Sequence, residues 1–263
     1  MAHRIRLPRW AQARGAALND FPMLEPGRTA LVNVDMQAAF LAADQPYGNA
    51  HARDIVGKVN ALSRAMRAAG APVIWTRQTY TAEPPYAPPD WQYDAARPGV
   101  AGGMAALTAG SAGHGIYPAM ETAETDLVLD KYRYGAFSCP AGALPAALER
   151  LGARMLILTG TLTNCCVEST AREANMAGYK VIVAADATAA VTDAEHNAAL
   201  LNLRINFADV RRTGELVGMI GGGGTTTRLK RGSVGRRQRG TGIVPTNSRL
   251  PGSVLDSMKE PER

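Results

Sequence analysis

Met155-Leu156-Ile157-Leu158-Thr159-Gly160-Thr161-Leu162-Thr163-Asn164-Cys165-Cys166-Val167-Glu168-Ser169-Thr170 passes from an unbroken apolar run, through a short Gly/Thr turn, into a polar helix-forming segment. Residues 155–159 read as a buried strand, and residues 171–177 continue as a helix that Gly178 is placed to end. Two thiols therefore sit where a strand ends and a helix begins. There the first backbone N–H groups lack intrahelical partners, and the helix dipole presents its positive end. That field favours a thiolate, which is the nucleophilic form. A small buried hydrophobe is the other reading of such a cysteine, and position alone leaves the two level.

Outward from this stretch, strand-like and helix-like segments alternate. Apolar strands are expected at 30–34, 72–76, 126–129, 155–159 and 180–184, with a short edge strand at 209–211. Helical patterns fill 52–69, 142–151 and 194–206 between them. Strands that are continuous apolar runs belong to a sheet covered on both faces. Their alternation with helices predicts an α/β protein, a doubly wound, mostly parallel six-stranded sheet in a three-layer, Rossmann-type sandwich. Residues 82–118, rich in Pro, Gly and aromatics, read as a long loop over the active edge. The domain is placed at 28–220, after an N-terminal extension (1–27) and before a Gly-rich segment (221–263).

At 46% hydrophobic and 20% charged residues, the composition is that of a soluble globular protein. Three cysteines, two of them adjacent, do not make a disulfide framework, so a cytoplasmic setting is expected. No apolar run approaches the roughly 18 residues of a membrane span. The opening Met1-Ala2-His3-Arg4-Ile5-Arg6 lacks the apolar core of a secretory signal. The net charge of +6 is unevenly spread: nine of the 29 basic but only three of the 23 acidic residues lie from Gly221 onward. That leaves 20 of each sign in the body. With no aromatics to stack on bases, the segment reads as a disordered, solvated tail rather than a nucleic-acid arm.

In an open α/β sheet, ligands bind beyond the carboxyl ends of the strands. Those ends carry Asp35-Met36-Gln37, Arg77-Gln78-Thr79-Tyr80, Asp130-Lys131-Tyr132-Arg133-Tyr134, Thr163-Asn164-Cys165-Cys166 and Asp186-Ala187-Thr188. A carboxylate, an ammonium and a thiol on one sheet edge form a plausible nucleophilic set, in which the base takes the thiol proton and the lysine tunes the pair. Tyr80, Trp91, Tyr132 and Tyr134 are candidates for the pocket wall. Arg77 or Gln78 is placed to meet a polar substrate group, and Gln37, Phe40 and Asn164 complete the expected substrate contacts.

Three motifs carry a resemblance. Val34-Asp35-Met36-Gln37-Ala38-Ala39-Phe40 is similar to V-D-M-Q-x-x-F, Lys131-Tyr132-Arg133-Tyr134-Gly135-Ala136-Phe137 to K-x-R-Y-S-A-F, and residues 160–170 to G-x-x-T-x-x-C-V-x-x-T. Together they resemble the isochorismatase-like cysteine hydrolases, which include nicotinamidases and ureidoacrylate, N-carbamoylsarcosine and streptothricin hydrolases. The resemblance runs from about Arg28 to Ile220. It implies Cys166, not Cys165, as nucleophile, Asp35 as general base and Lys131 as the third member. It also implies a cis peptide between Thr161 and Leu162 that aims the N–H groups of Leu162 and Cys166 as an oxyanion hole, and a homo-oligomer.

The departures matter too. The Asp-x-His pair and the further histidine that hold the nicotinamidase metal are missing, and His3, His51, His114 and His196 show no metal-ligand spacing. No metal and no cofactor are expected. A nucleophilic cysteine argues against vinyl-ether cleavage. The reading is a cysteine amidohydrolase that opens a non-peptide C–N bond of a small amide, ureido compound or lactam through a covalent thioester-type intermediate. The second readings are a nicotinamidase-like amidase, or a non-catalytic relative tethered to nucleic acid by its tail. Cys139 and Cys165 are expected to pack.

Overall fold

The apolar runs assemble into one six-stranded sheet, in a computed structural model that describes residues 2–222. The expected basic tail lies outside the described residues. The strands are β1 (Thr29–Val34), β2 (Val73–Gln78), β3 (Leu127–Lys131), β4 (Met155–Thr161), β5 (Lys180–Ala189) and β6 (Asp209–Arg211). The helices are α1 (Arg9–Ala16), α2 (Ala38–Leu41), α3 (Ala50–Asp54), α4 (Val56–Ala68), α5 (Pro98–Ala106), α6 (Ala143–Arg150), α7 (Glu168–Met176), α8 (Asp193–Asn202) and α9 (Thr213–Gly221). Every strand pair is parallel, in the order β3-β2-β1-β4-β5-β6. The order reverses between β1 and β4, and the crevice at such a switch point is where doubly wound sheets bind ligands.

Successive side chains of each strand enter opposite layers. Leu31, Val73, Trp75, Ile157 and Ile182 meet Val59, Leu62 and Met66 of α4 and Leu216 and Ile220 of α9. Val32, Val34, Ile74, Leu156, Leu158, Val181 and Val183 meet Leu144 and Leu148 of α6, Ala171 and Ala174 of α7, and Leu200 of α8. Burying each large aliphatic side chain contributes about 1.5–3 kcal/mol. This is why the strands are apolar at every position rather than at alternate ones.

Several boundaries differ from the sequence reading. β2 extends through Arg77 and Gln78, so those two residues are part of the strand and do not follow it. The helix expected at 52–69 is broken at Ile55 into α3 and α4. The helical pattern at 194–206 ends as α8 followed by a π-helical turn, Leu203–Phe207. The expected loop at 82–118 contains α5, whose sequence Pro-Gly-Val-Ala-Gly-Gly-Met-Ala-Ala holds three glycines. Glycine disfavours helix interiors and leaves no apolar stripe to detect. Gly103 leaves room for Tyr47, whose hydroxyl would lie 1.9 Å from a Cβ at that position.

The N-terminal segment is joined closely to the body. Ile5 and Leu7 pack against the second core, and α1 brings Gly15 so close to the turn after α8 that a Cβ would lie 2.1 Å from the Arg204 carbonyl oxygen.

Candidate active site

β1 and β4 run side by side with Val34 opposite Gly160. Gly160 has φ +101°, and a Cβ on it would lie 2.0 Å from the Val34 carbonyl oxygen. Only glycine permits both the conformation and the approach. Immediately beyond this contact β1 delivers Asp35, and β4 leads through a cis Thr161–Leu162 peptide into a π-helical turn, Thr163–Val167, that carries Cys166. The Leu162 carbonyl accepts from the N–H groups of Cys165 and Val167 and folds that turn back toward the sheet.

Asp35 is wholly buried and left-handed, with φ +50°, a conformation that aspartate tolerates better than most residues. Thr76 on β2 donates to its Oδ1 at 2.8 Å. The Lys131 ammonium, at the end of β3, stands 2.8 Å from its Oδ2. Lys131 also donates to Gln78 Oε1 at 2.6 Å and to the Arg133 carbonyl at 3.0 Å. Burial works against this ammonium, but the charge of Asp35 and the neighbouring Cys166 hold its pKa above the ordinary value. At this depth the alternative to pairing is an isolated buried charge, which costs far more.

The sequence reading puts Gln37 and Gln78 against the substrate, and the structure uses them differently. Gln37 Oε1 accepts from the Gln78 N–H at 2.7 Å, while its Nε2 donates to the carbonyls of Gln78 and His114, both at 3.0 Å. A buried amide must have its polar atoms satisfied, and here that need locks Gln78, which in turn orients Lys131.

Cys166 is buried, and its hydrogen bond with Cys165 is the largest influence on it. With burial and the nearby Asp35 carboxylate, this pushes the Cys166 thiol well above its ordinary value, although Lys131 acts in the opposite sense. The same hydrogen bond, assisted by Lys131, lowers the Cys165 thiol. These influences favour the protonated form of Cys166 and oppose the pull toward the thiolate expected at the strand-to-helix junction. Cys139 packs as expected, with its sulfur accepting the Tyr132 N–H at 3.3 Å.

The aromatic candidates divide. Tyr80 is buried, packs edge-on against Tyr93, and lines a cavity of about 500 Å³ together with Tyr132. Tyr134 is partly exposed, bonds the Tyr93 hydroxyl, and lies within electrostatic reach of both cysteines. Phe40 and Leu162 line a second hollow of about 540 Å³. Trp91 is 76% exposed and Asn164 is exposed as well, so neither lies in the enclosed part of the site. Arg77 is drawn away to Asp130 at 2.7 Å. Tyr93, and Tyr47 stacked on Phe40, are the residues missed by the sequence reading. They lie in Pro- and Gly-rich segments, where no periodicity assigns a side chain to a face.

The histidines, widely spaced in sequence, converge in space. His3 stacks between His51 and His196, with ring centroids 4.0 and 4.2 Å apart, and its Nδ1 is 2.7 Å from Asp193 Oδ1. Nitrogens of His3 and His51 and an oxygen of Asp193 lie within 4.8 Å of one another. Stacked rings direct their in-plane lone pairs side by side rather than at one point, which is poor geometry for a shared cation. His196 reaches the turn that carries Cys166 through a 2.9 Å contact of its Nδ1 with Thr163 Oγ1.

Comparison with known proteins agrees with this architecture. Residues 29–215 match the isochorismatase domain model. A ureidoacrylate amidohydrolase RutB from Pseudomonas savastanoi pv. phaseolicola is 31% identical over 222 residues, covering 77% of this chain and 88% of that protein. Nicotinamidase 3 of Arabidopsis thaliana is 40% identical over a shorter stretch of 83 residues, 32% of this chain and 41% of that one. A cysteine hydrolase structure from Pseudomonas syringae pv. phaseolicola 1448A superposes with a TM-score of 0.70 at 26% identity, over 78% of this chain and 97% of its own. Sheet order, domain match and similarity over more than three quarters of the chain all lead to one assignment: this chain belongs to the isochorismatase-like hydrolase family.

Proposed function

We propose that the chain is a cysteine amidohydrolase that cleaves a non-peptide C–N bond of a small molecule, with Cys166 as nucleophile, Asp35 as general base and acid, and Lys131 as the group that holds both. The observation that carries the proposal is the buried Asp35–Lys131 ion pair beside the buried Cys166 thiol, at the switch point of the sheet. A protonated thiol next to a carboxylate is poised for general-base activation. Asp35 takes the Cys166 proton, and the thiolate attacks the substrate carbonyl carbon. The N–H groups of Leu162 and Cys166 receive the developing oxyanion. The C–N bond breaks as Asp35 returns the proton to the leaving nitrogen, so ammonia or an amine departs and a thioester remains. Asp35 then deprotonates a water that attacks the thioester, the acid or carbamate leaves, and Cys166 recovers its proton.

The ureidoacrylate amidohydrolase similarity, which extends over most of both chains, supports amide or ureido substrates. The nicotinamidase similarity keeps nicotinamide as the second substrate to test. The decisive measurement is ammonia release across amides, ureas, lactams and nicotinamide, with intact-mass detection of the thioester. Cys166→Ala is expected to abolish both signals while leaving the fold unchanged by circular dichroism. Unchanged turnover in that variant would remove Cys166 from the mechanism.

A further inference from the structure

We infer that the substrate is an uncharged amide or urea, and that a carboxylate-bearing one is disfavoured. The inference rests on the amidohydrolase reading above and narrows it.

The chemistry of the walls carries it. The hollow bounded by Leu162 and Phe40 is otherwise formed by Tyr47, Asn49, Val191 and their neighbours. The cavity at Tyr80 is lined by the neutral residues Thr79, Thr81, Thr108, Tyr86, Tyr132 and Met104. Neither is lined by a Lys, Arg, Asp or Glu among the described residues, and His51 is the one lining group that can acquire charge. Tyr80, which lines one cavity, is linked through Tyr93 to Tyr134, which lies within electrostatic reach of both cysteines. Tyr80 and Tyr134 both bond Tyr93, and Gln92 Nε2 donates to the Tyr134 hydroxyl at 3.3 Å. Burial first, and then bonding to Tyr93, raise the pKa values of Tyr80 and Tyr134, so both are neutral donors and acceptors at physiological pH.

The nearby cations are already engaged. The Lys131 charge is matched by Asp35 at 2.8 Å. The Arg133 guanidinium donates to the carbonyls of Tyr86, Tyr132 and Pro85. Arg77 pairs with Asp130. A substrate carboxylate would lose its hydration, meet no Lys or Arg in the lining of either cavity, and approach Asp35 and the nascent Cys166 thiolate. Burying an anion without a partner is strongly unfavourable, and like charge at the reacting centre adds to that cost. An amide or urea loses far less hydration on entering neutral walls. The ureidoacrylate named for the relatives carries a carboxylate, so this chain is expected to differ from them.

The test compares N-carbamoyl-β-alanine with its methyl ester, which differ in that charge, by ammonia release from the full-length chain at neutral pH. A kcat/KM for the ester about tenfold or more above that of the acid supports the inference. Equal turnover, or preference for the acid, overturns it. Gln92→Arg sets a guanidinium beside the Tyr134 hydroxyl and is expected to raise kcat/KM for the acid by about tenfold; no gain there also counts against the inference. If neither compound, nor any member of the wider amide panel, releases ammonia, it is the amidohydrolase reading that fails.

Discussion

Asp35 illustrates how one residue binds stability to chemistry. Its charge is tolerated because Lys131 matches it, so removing the lysine leaves an uncompensated buried carboxylate. Lys131→Met is expected to cost about 3–5 kcal/mol in denaturant unfolding, and Asp35→Asn/Lys131→Met considerably less. The same pair sets the thiol. Asp35 raises the Cys166 pKa and Lys131 lowers it. The pH midpoint of Cys166 alkylation by iodoacetamide should therefore move down in Asp35→Asn and up in Lys131→Met, although hydrolysis is lost in both. A midpoint that did not respond to either change would show that the pair does not act on the thiol. His196 supplies a second residue-scale expectation. Burial, followed by the neighbouring His3, depresses its pKa from 6.5 to about 3. A group with a depressed folded pKa contributes stability that is complete above its unfolded value and lost as pH falls toward the folded one. Thermal stability should decline between about pH 6.5 and 3 as the unfolded chain takes up that proton. His196→Asn, which can still bond Thr163, should flatten this part of the profile.

At the level of elements, α7 joins the turn that carries Cys166 to the turn that follows Lys131. Thr170 accepts from the Ala136 N–H at 3.2 Å, and Glu173 Oε2 accepts from the N–H groups of Phe137 at 2.9 Å and Ser138 at 3.2 Å. The Ser138 hydroxyl donates to the other carboxylate oxygen. Gly135 makes room for this: a Cβ there would lie 2.1 Å from Glu173 Oε1. The related motif has serine at that position, so glycine and the inward carboxylate belong together. Glu173→Ala leaves these donors without their acceptor and should cost about 1–3 kcal/mol. Gly135→Ala should be destabilising while Glu173 is present and much milder in a Glu173→Ala background. A double-mutant cycle by chemical denaturation measures that coupling, and additive single effects would contradict it.

For the whole molecule, the N-terminal segment is part of the folded unit although the matched domain begins at residue 29. His3 lies in the imidazole stack, the Arg6 N–H donates to Asn197, and Arg204 donates to the carbonyls of Asn19 and Gln12 while pairing with Asp209 at 2.6 Å. Deleting residues 2–21 uncovers the core surface on which Ile5 and Leu7 pack and leaves Arg204 with fewer partners. Melting should shift down by several degrees, since about 1 kcal/mol corresponds to roughly 2–4 °C for a domain of this size. An unchanged melting temperature would show that the segment is dispensable. No helix among the described residues is long and apolar enough to cross a membrane.

The parallel sheet was legible because strands buried on both faces must be apolar throughout, and Asp35 and Lys131 were legible as groups at its carboxyl edge because each closes such a run, whereas the choice of Cys166 over Cys165 came from the motif that residues 160–170 resemble. Less could be read of α5, whose glycines hide it, or of Tyr93 and Tyr47, which reach the site from segments without a period. The roles of Gln37 and Gln78 were invisible because amide side chains look alike in sequence whether they bind a ligand or each other. By itself, then, the sequence determined the sheet, its order of elements and the chemical types gathered at its edge, since these follow from local periodicity and strand ends. Only the tertiary structure decided that Asp35 and Lys131 pair, that Gln37 fixes Gln78 beside Lys131, and that burial and Cys165 push the Cys166 thiol upward. Those properties depend on burial and on contacts between residues far apart in the chain, where dielectric and distance set the energy of every charge.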